Sequence, residues 1–237
     1  MKTYIRRREK NDQLVVLYGG WGSDENLFIP FFNDSFDLIL FYNYSADDPL
    51  VIPETKTYRK ITVIGWSLGV WAAGYLLPKT GIVPHTTIAV NGTPLPVDDR
   101  YGIPLKVFEG TLNNISEENM EKFFLRVFGD KTTYLENSDK IPQRTLKSLH
   151  DELRWLYNRM MEPAEPPFKW DYAVTSASDR VFPAENMNSY WGMQNSTRHI
   201  VVELPHYFFP HWNSFTDFIR FVERYKRKAP SAAGNQS

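Results

Sequence analysis

Apolar residues in this chain come in short unbroken runs, with little strict alternation. "QLVVLYGG" (13–20), "FDLILFYNY" (36–44), "KITVIGWS" (60–67), "TTIAVNG" (86–92), "WDYAVTSASD" (170–179) and "HIVVELP" (199–205) are rich in β-formers and end in glycines, polar residues or proline. Helical spacing lies between and after them. "LGVWAAGYLL" (68–77) runs up to Pro78, and "SFTDFIRFVERYKRK" (214–228) sets Phe215, Phe218, Ile219, Val222 and Tyr225 on one face. Strands with no polar face are covered on both sides, so the pattern predicts an α/β fold with a mainly parallel sheet flanked by helices.

The interval between the fourth and fifth runs breaks this rhythm. "SEENMEKFFLRVFGD" (116–130) offers Ser116 as an N-cap, an acidic first turn and Gly129 as a stop. "QRTLKSLHDELRWLYNRMME" (143–162) aligns Leu146, Leu149, Leu153, Leu156 and Met160 before "PAEPP". Two amphipathic helices inserted at about 105–167 are expected to form a small lid over the strand ends; the alternative is extra packing on the flank. One domain over 1–228 is expected, with a disordered tail over 229–237.

Composition narrows the function. A net charge of −1 in 237 residues gives no general attraction to nucleic acid or an anionic membrane, so a basic docking site would have to be local. There is no cysteine, which removes disulfides, zinc thiolates and a thiol nucleophile. The basic start "MKTYIRRREKNDQ" lacks an apolar signal segment and no run is long enough to span a bilayer, so the cytoplasm is the expected location. The N-x-[ST] triplets at Asn43 and Asn91 therefore carry no expectation of glycosylation.

The pentapeptide "GWSLG" (65–69) places Ser67 between a strand and a helix. A random chain of this length would contain G-x-S-x-G only about 0.08 times, and the strand-turn-helix context gives the motif a mechanism: a sharp turn lifts the hydroxyl above the sheet. Such a serine needs a base, an acid and oxyanion donors. His206 follows the last strand, where ligands gather in open α/β sheets, and is favoured over His211. Asp179 ends the fifth run and is favoured over Asp98 and Asp99. The backbone N–H groups of Leu68 and of Trp21, in the loop "GGWGSD", are the expected oxyanion donors. That loop lacks the Lys-Ser/Thr ending of a phosphate-binding loop. This chemistry calls for neither cofactor nor metal.

With "LYGGWGSD", "IGWSLGVWAA", "AVNGTPLPVDDRYGIP" and "LPHYFFPHW" in view, the chain resembles the α/β-hydrolases, and within them the BioG-type pimeloyl-[acyl-carrier protein] methyl ester esterases of biotin synthesis. The resemblance implies a Ser67–Asp179–His206 triad with Trp21 and Leu68 at the oxyanion. It also implies a substrate: a pimeloyl methyl ester carried on acyl carrier protein. An apolar channel is then expected, drawing on Trp66, Trp71, Trp155, Phe123 and Phe124. Acidic carrier proteins would dock on basic residues of the inserted helices, for which Lys122, Arg126, Arg144, Lys147 and Arg154 are the candidates. A monomer is expected. Other serine hydrolases, a thioesterase or a short-chain esterase, remain open, as does a catalytically silent binding module.

Overall fold

Each predicted apolar run becomes a strand in the computed structural model, which describes residues 1–8, 11–33, 35–44, 52, 54–162 and 168–225. The strands are β1 (Lys2–Arg6), β2 (Gln13–Tyr18), β3 (Asp37–Tyr42), β4 (Lys60–Trp66), β5 (Thr86–Val90), β6 (Tyr172–Ser176) and β7 (Arg198–Val202). They form one sheet in the order β1-β3-β2-β4-β5-β6-β7. All neighbours are parallel except β1 and β3. Every residue of β3 and β5 is buried, as are five of six in β2, because helices cover both faces and a polar side would have no water to meet.

The strand order has a consequence for chemistry. The chain leaves β2 on one side to make β3, then crosses back to make β4 on the other side. The loops after β2 and β4 therefore diverge at a switch point, where a crevice opens at the carboxyl ends of the strands. Tyr18 pairs with Gly65 in the sheet, so Gly19–Gly20 and Ser67 emerge side by side.

Helix α1 (Gly69–Leu76) follows β4 at once, and Pro78 lies in a short 3-10 turn that ends it. Between β5 and β6 come α2 (Leu105–Asn113), α3 (Glu117–Phe128), α4 (Lys131–Glu136) and α5 (Leu146–Met160). The last two are α6 (Ala184–Gly192) and α7 (Phe215–Arg224). Ser116 caps α3 by accepting from the Asn119 N–H at 3.3 Å, and Gly129 ends it with φ of 90°. Both signals were read from the sequence.

Sequence reading gave no bounds for four elements, β1, α2, α4 and α6. β1 is an edge strand of mixed exposure, so its residues show no buried run. Helices α2, α4 and α6 run for only six to nine residues and bury two, none and three of them, so none shows a long apolar stripe. Two boundaries also move. Thr145 caps α5, which leaves Gln143 and Arg144 outside the helix, and α7 stops at Arg224. The expected tail at 229–237, the closing "PAEPP" and residues 226–228 lie outside the described residues.

Candidate active site

Ser67 occupies the turn between β4 and α1 with φ of 58°, a left-handed conformation that costs a non-glycine residue on the order of 1–3 kcal/mol. The fold holds it there: the Ser67 N–H donates to Val90 O at 2.8 Å, and Ser67 O accepts from Val70 N at 3.0 Å. The neighbouring glycines are needed for space. A Cβ at Gly69 would collide with Tyr18 O, and one at Gly20 would lie 2.9 Å from Ser67 Cβ. The β2 loop is thus packed directly against the serine. Among the described residues, neither the Trp21 nor the Leu68 backbone N–H donates to a protein acceptor, and both residues line the cavity that contains Ser67.

His206 and Asp179 are brought together. His206 Nδ1 lies 2.6 Å from Asp179 Oδ2, and both side chains are fully buried. Asp179 Oδ1 accepts from the N–H groups of Val181 and Phe182, each at 2.8 Å, so the carboxylate is fixed from both ends. The histidine backbone is fixed too. His206 O accepts from the Trp66 indole N–H at 3.1 Å and from Asn91 Nδ2 at 2.7 Å, and the Trp66 and His206 rings lie 5.2 Å apart. His206 therefore sits against the residue preceding Ser67. Ser67 Oγ has no hydrogen-bond partner among the described residues, so the Ser67–His206 bond is not made here.

Asn91 was not recognised from the sequence as part of this site. It is fully buried after β5, with φ of 46°, and its Oδ1 accepts from Ser176 N at 2.7 Å. One amide ties the ends of β5 and β6 to the histidine loop. The signal was present: an Asn-Gly pair closes a buried strand, where an asparagine tolerates positive φ and bonds locally.

The cavity over Ser67 measures about 340 Å³. Trp21, Ser67 and Leu68 meet Phe108 of α2, Phe123 of α3 and Leu153 of α5 across it, so the inserted helices stand over the strand ends. Arg126 and Arg180 give it a charged margin. A second chamber of about 240 Å³ continues outward past Trp21, Phe123 and Arg126, with Asn114, Asn119 and Lys122 in its wall.

Several expected roles change. Of the five aromatic candidates only Phe123 lines the cavity with Ser67. Trp66 and Phe124 are buried, and Trp71 stacks on Tyr75, which also meets Trp155 edge-on. Lys122, Arg126, Lys147 and Arg154 are exposed, with Lys122 paired to Glu118 and Lys147 to Asp151 at 2.5 Å each. Arg144 is corrected. Preceding the Thr145 cap, it turns inward to Glu152 at 2.6 Å, with its side chain only 6% exposed, and cannot present charge to a partner. Its partner Glu152 is fully buried. Burial raises its carboxyl above the ordinary range, opposed by Arg144 and by two backbone N–H groups. Asp98 and Asp99 accept backbone N–H groups in their own loop, from Arg100, Tyr101 and Leu105, and His211 is exposed beside Trp212.

Comparison with known proteins gives the family and the fold. The model of the family described as Pimeloyl-ACP methyl esterase BioG matches residues 1–218. A crystal structure of BioG from Haemophilus influenzae superposes with a TM-score of 0.81 at 31% identity, covering 91% of this chain and 98% of that one. A hydrolase from Oleispira antarctica shares the fold at a TM-score of 0.61 and 14% identity, covering 94% of each chain. A Bacteroides fragilis protein named malonyl-[acyl-carrier protein] O-methyltransferase is 36% identical over 182 residues. That match covers 76% of this chain but only 36% of the relative, so the chain spans about a third of that protein's length.

Proposed function

This chain belongs to the pimeloyl-ACP methyl esterase BioG family, with the α/β-hydrolase fold, and on that premise we propose that it hydrolyses the methyl ester of a pimeloyl group carried on acyl carrier protein. The observation that carries the reading is the convergence on one cavity of Ser67 and the unspent N–H groups of Trp21 and Leu68, with an Asp179-held His206 beside the turn.

Catalysis runs in two acyl transfers. Asp179 keeps the His206 proton on Nδ1, which leaves Nε2 as the base. His206 takes the Ser67 proton as Oγ attacks the ester carbonyl, and the bond closes with substrate, as is common where the unliganded hydrogen bond is open. The developing oxyanion accepts from the backbone N–H groups of Trp21 and Leu68, which have no protein acceptor among the described residues. His206 returns the proton to the leaving methanol. Water then attacks the acyl-enzyme by the same route and releases the free carboxylate. No cofactor or metal enters these steps.

The apolar walls of Phe108, Phe123 and Leu153 suit the acyl chain, while the more polar outer chamber opens toward the carrier. Exposed Lys122, Arg126, Lys147 and Arg154 are the surface proposed to meet an acidic carrier protein. The Bacteroides relative lends chemical support: a methyltransferase acting on a carrier-bound malonyl group makes the kind of ester this chain would cleave. Among the described residues no helix is long and apolar enough to cross a membrane.

The test is methanol release from pimeloyl-carrier methyl ester, run beside free methyl esters and acyl-carrier thioesters. Preference for the carrier-bound methyl ester is expected. Ser67→Ala should lose turnover and fluorophosphonate labelling while melting at an unchanged temperature. Retained activity in that variant, or faster cleavage of the thioester, would overturn the assignment.

A further inference from the structure

Glu152 is a carboxylate placed on the buried face of α5, where its neighbours in the helix repeat are Leu149 and Leu156. Such a group is retained in an apolar setting only when its oxygens are satisfied. Here Oε2 accepts from the Gly22 N–H at 3.1 Å and from Arg144 Nη1 at 2.6 Å, and Oε1 accepts from the Tyr44 N–H at 3.0 Å. Gly22 directly follows Trp21, and its φ of 75° is part of the turn that carries Trp21, a residue lining the cavity with Ser67.

Most of the surrounding bonds join the same two pieces, the loop after β2 and the region where α5 begins. The Trp21 indole N–H donates to Leu149 O at 2.9 Å, Arg144 Nη1 donates to Ser23 O at 3.2 Å, and the Gln143 N–H donates to Asp24 Oδ2 at 2.9 Å. Arg144 Nη2 also reaches Asn43 Oδ1 at 2.6 Å and Ser148 Oγ at 2.8 Å. The oxyanion loop is therefore held less by its own strand than by the start of α5.

We propose that Glu152 is a positioning residue for catalysis, whose carboxylate, braced by Arg144, fastens the loop bearing the Trp21 N–H to α5 and so holds the oxyanion donor in register with Ser67. This rests on the serine-esterase reading above and deepens it. A donor displaced by a fraction of an ångström loses most of its value in a transition state, while ground-state binding of the acyl chain is unaffected. The effect belongs in kcat.

Glu152→Gln is the discriminating variant because it keeps volume. Three donors face the carboxylate, so the new amide NH2 must oppose one of them. We expect kcat to fall about 10- to 100-fold with KM within about twofold, and the rate of fluorophosphonate labelling of Ser67 to fall in step. Arg144→Lys keeps the charge but not the forked contacts to Ser23 O and Asn43, and is expected to show the same pattern more weakly. It serves as the readout if Glu152→Gln does not fold. A folded variant that labels and turns over at the wild-type rate would overturn the proposal, as would a loss expressed in KM or melting temperature alone. Failure of the esterase reading looks different: wild-type Ser67 would then not label at all. If wild-type labels but spares the carrier-bound ester, the substrate is wrong and the labelling rates still decide the role of Glu152.

Discussion

His206 and His211 lie five residues apart on one loop, yet their surroundings assign them different chemistry. His206 is buried against Asp179 and Trp66, whereas His211 is exposed on a 3-10 turn next to Trp212. His206→Ala is expected to lower kcat by about 10³- to 10⁴-fold, and His211→Ala to stay within about twofold, as read by methanol release; equal losses would remove His206 as the base. The positions of Ser67, Asp179 and His206 could be read from the chain because each stands at the end of an apolar run, and such ends converge in a parallel sheet. Arg144 could not be placed correctly, since its role turns on whether the helix begins before or after it, and Thr145 is the cap. Glu152 was visible in principle: it lies three residues after Leu149 and four before Leu156, on the apolar face. An isolated acid there looks like an interruption until its three donors are known.

At the scale of elements, α5 and α3 have separate attachments to the site. α5 holds the oxyanion loop through Glu152 and Leu149, while α3 holds the histidine loop, with the Tyr207 N–H donating to Val127 O at 2.9 Å. Among the described residues, those of α2 line both chambers without a hydrogen bond to either loop, and α2 is tied instead to α5, where the Tyr157 hydroxyl donates to Glu109 at 2.7 Å. The β6–β7 pair contains a different titratable group. His199 Nε2 lies 2.7 Å from Thr175 Oγ1, and burial pushes the imidazole down to about 4 from an ordinary 6.5. The unfolded chain takes up a proton near the ordinary value while the folded one does not, so stability should fall as pH drops through the window between them. Urea midpoints measured from about pH 7 to about pH 4 should show this slope, and His199→Gln should flatten it; an unchanged slope would assign it to other groups. The parallel strands β2 to β5 were legible because burial on both faces leaves an unbroken apolar run. β1, α2, α4 and α6 were not, because few of their residues are buried and such elements resemble loops in composition.

For the molecule as a whole, near-neutral net charge means that recognition of an acidic carrier must come from a patch. The exposed cations on α3 and α5 are the patch proposed for it. Lys122→Glu with Arg154→Glu is expected to raise KM for the carrier-bound ester several-fold, more at low than at high ionic strength, while KM for a free methyl ester stays put. A parallel rise for both esters would place those cations in general catalysis or folding. A different property follows from the antiparallel strand at the sheet margin. β1 pairs with β3 from Lys2 opposite Tyr42 to Arg6 opposite Leu38, and β3 is the run "DLILFY", buried at every position. Without its cover, β3 would present a bare apolar ladder with six consecutive residues ready to pair with another copy. The short, basic β1 closes that edge and ends the sheet in charge. Residues separated from Ser67 by two strands are therefore expected to help keep the protein dispersed at high concentration, and a shortened N-terminus is expected to raise light scattering before it costs catalysis.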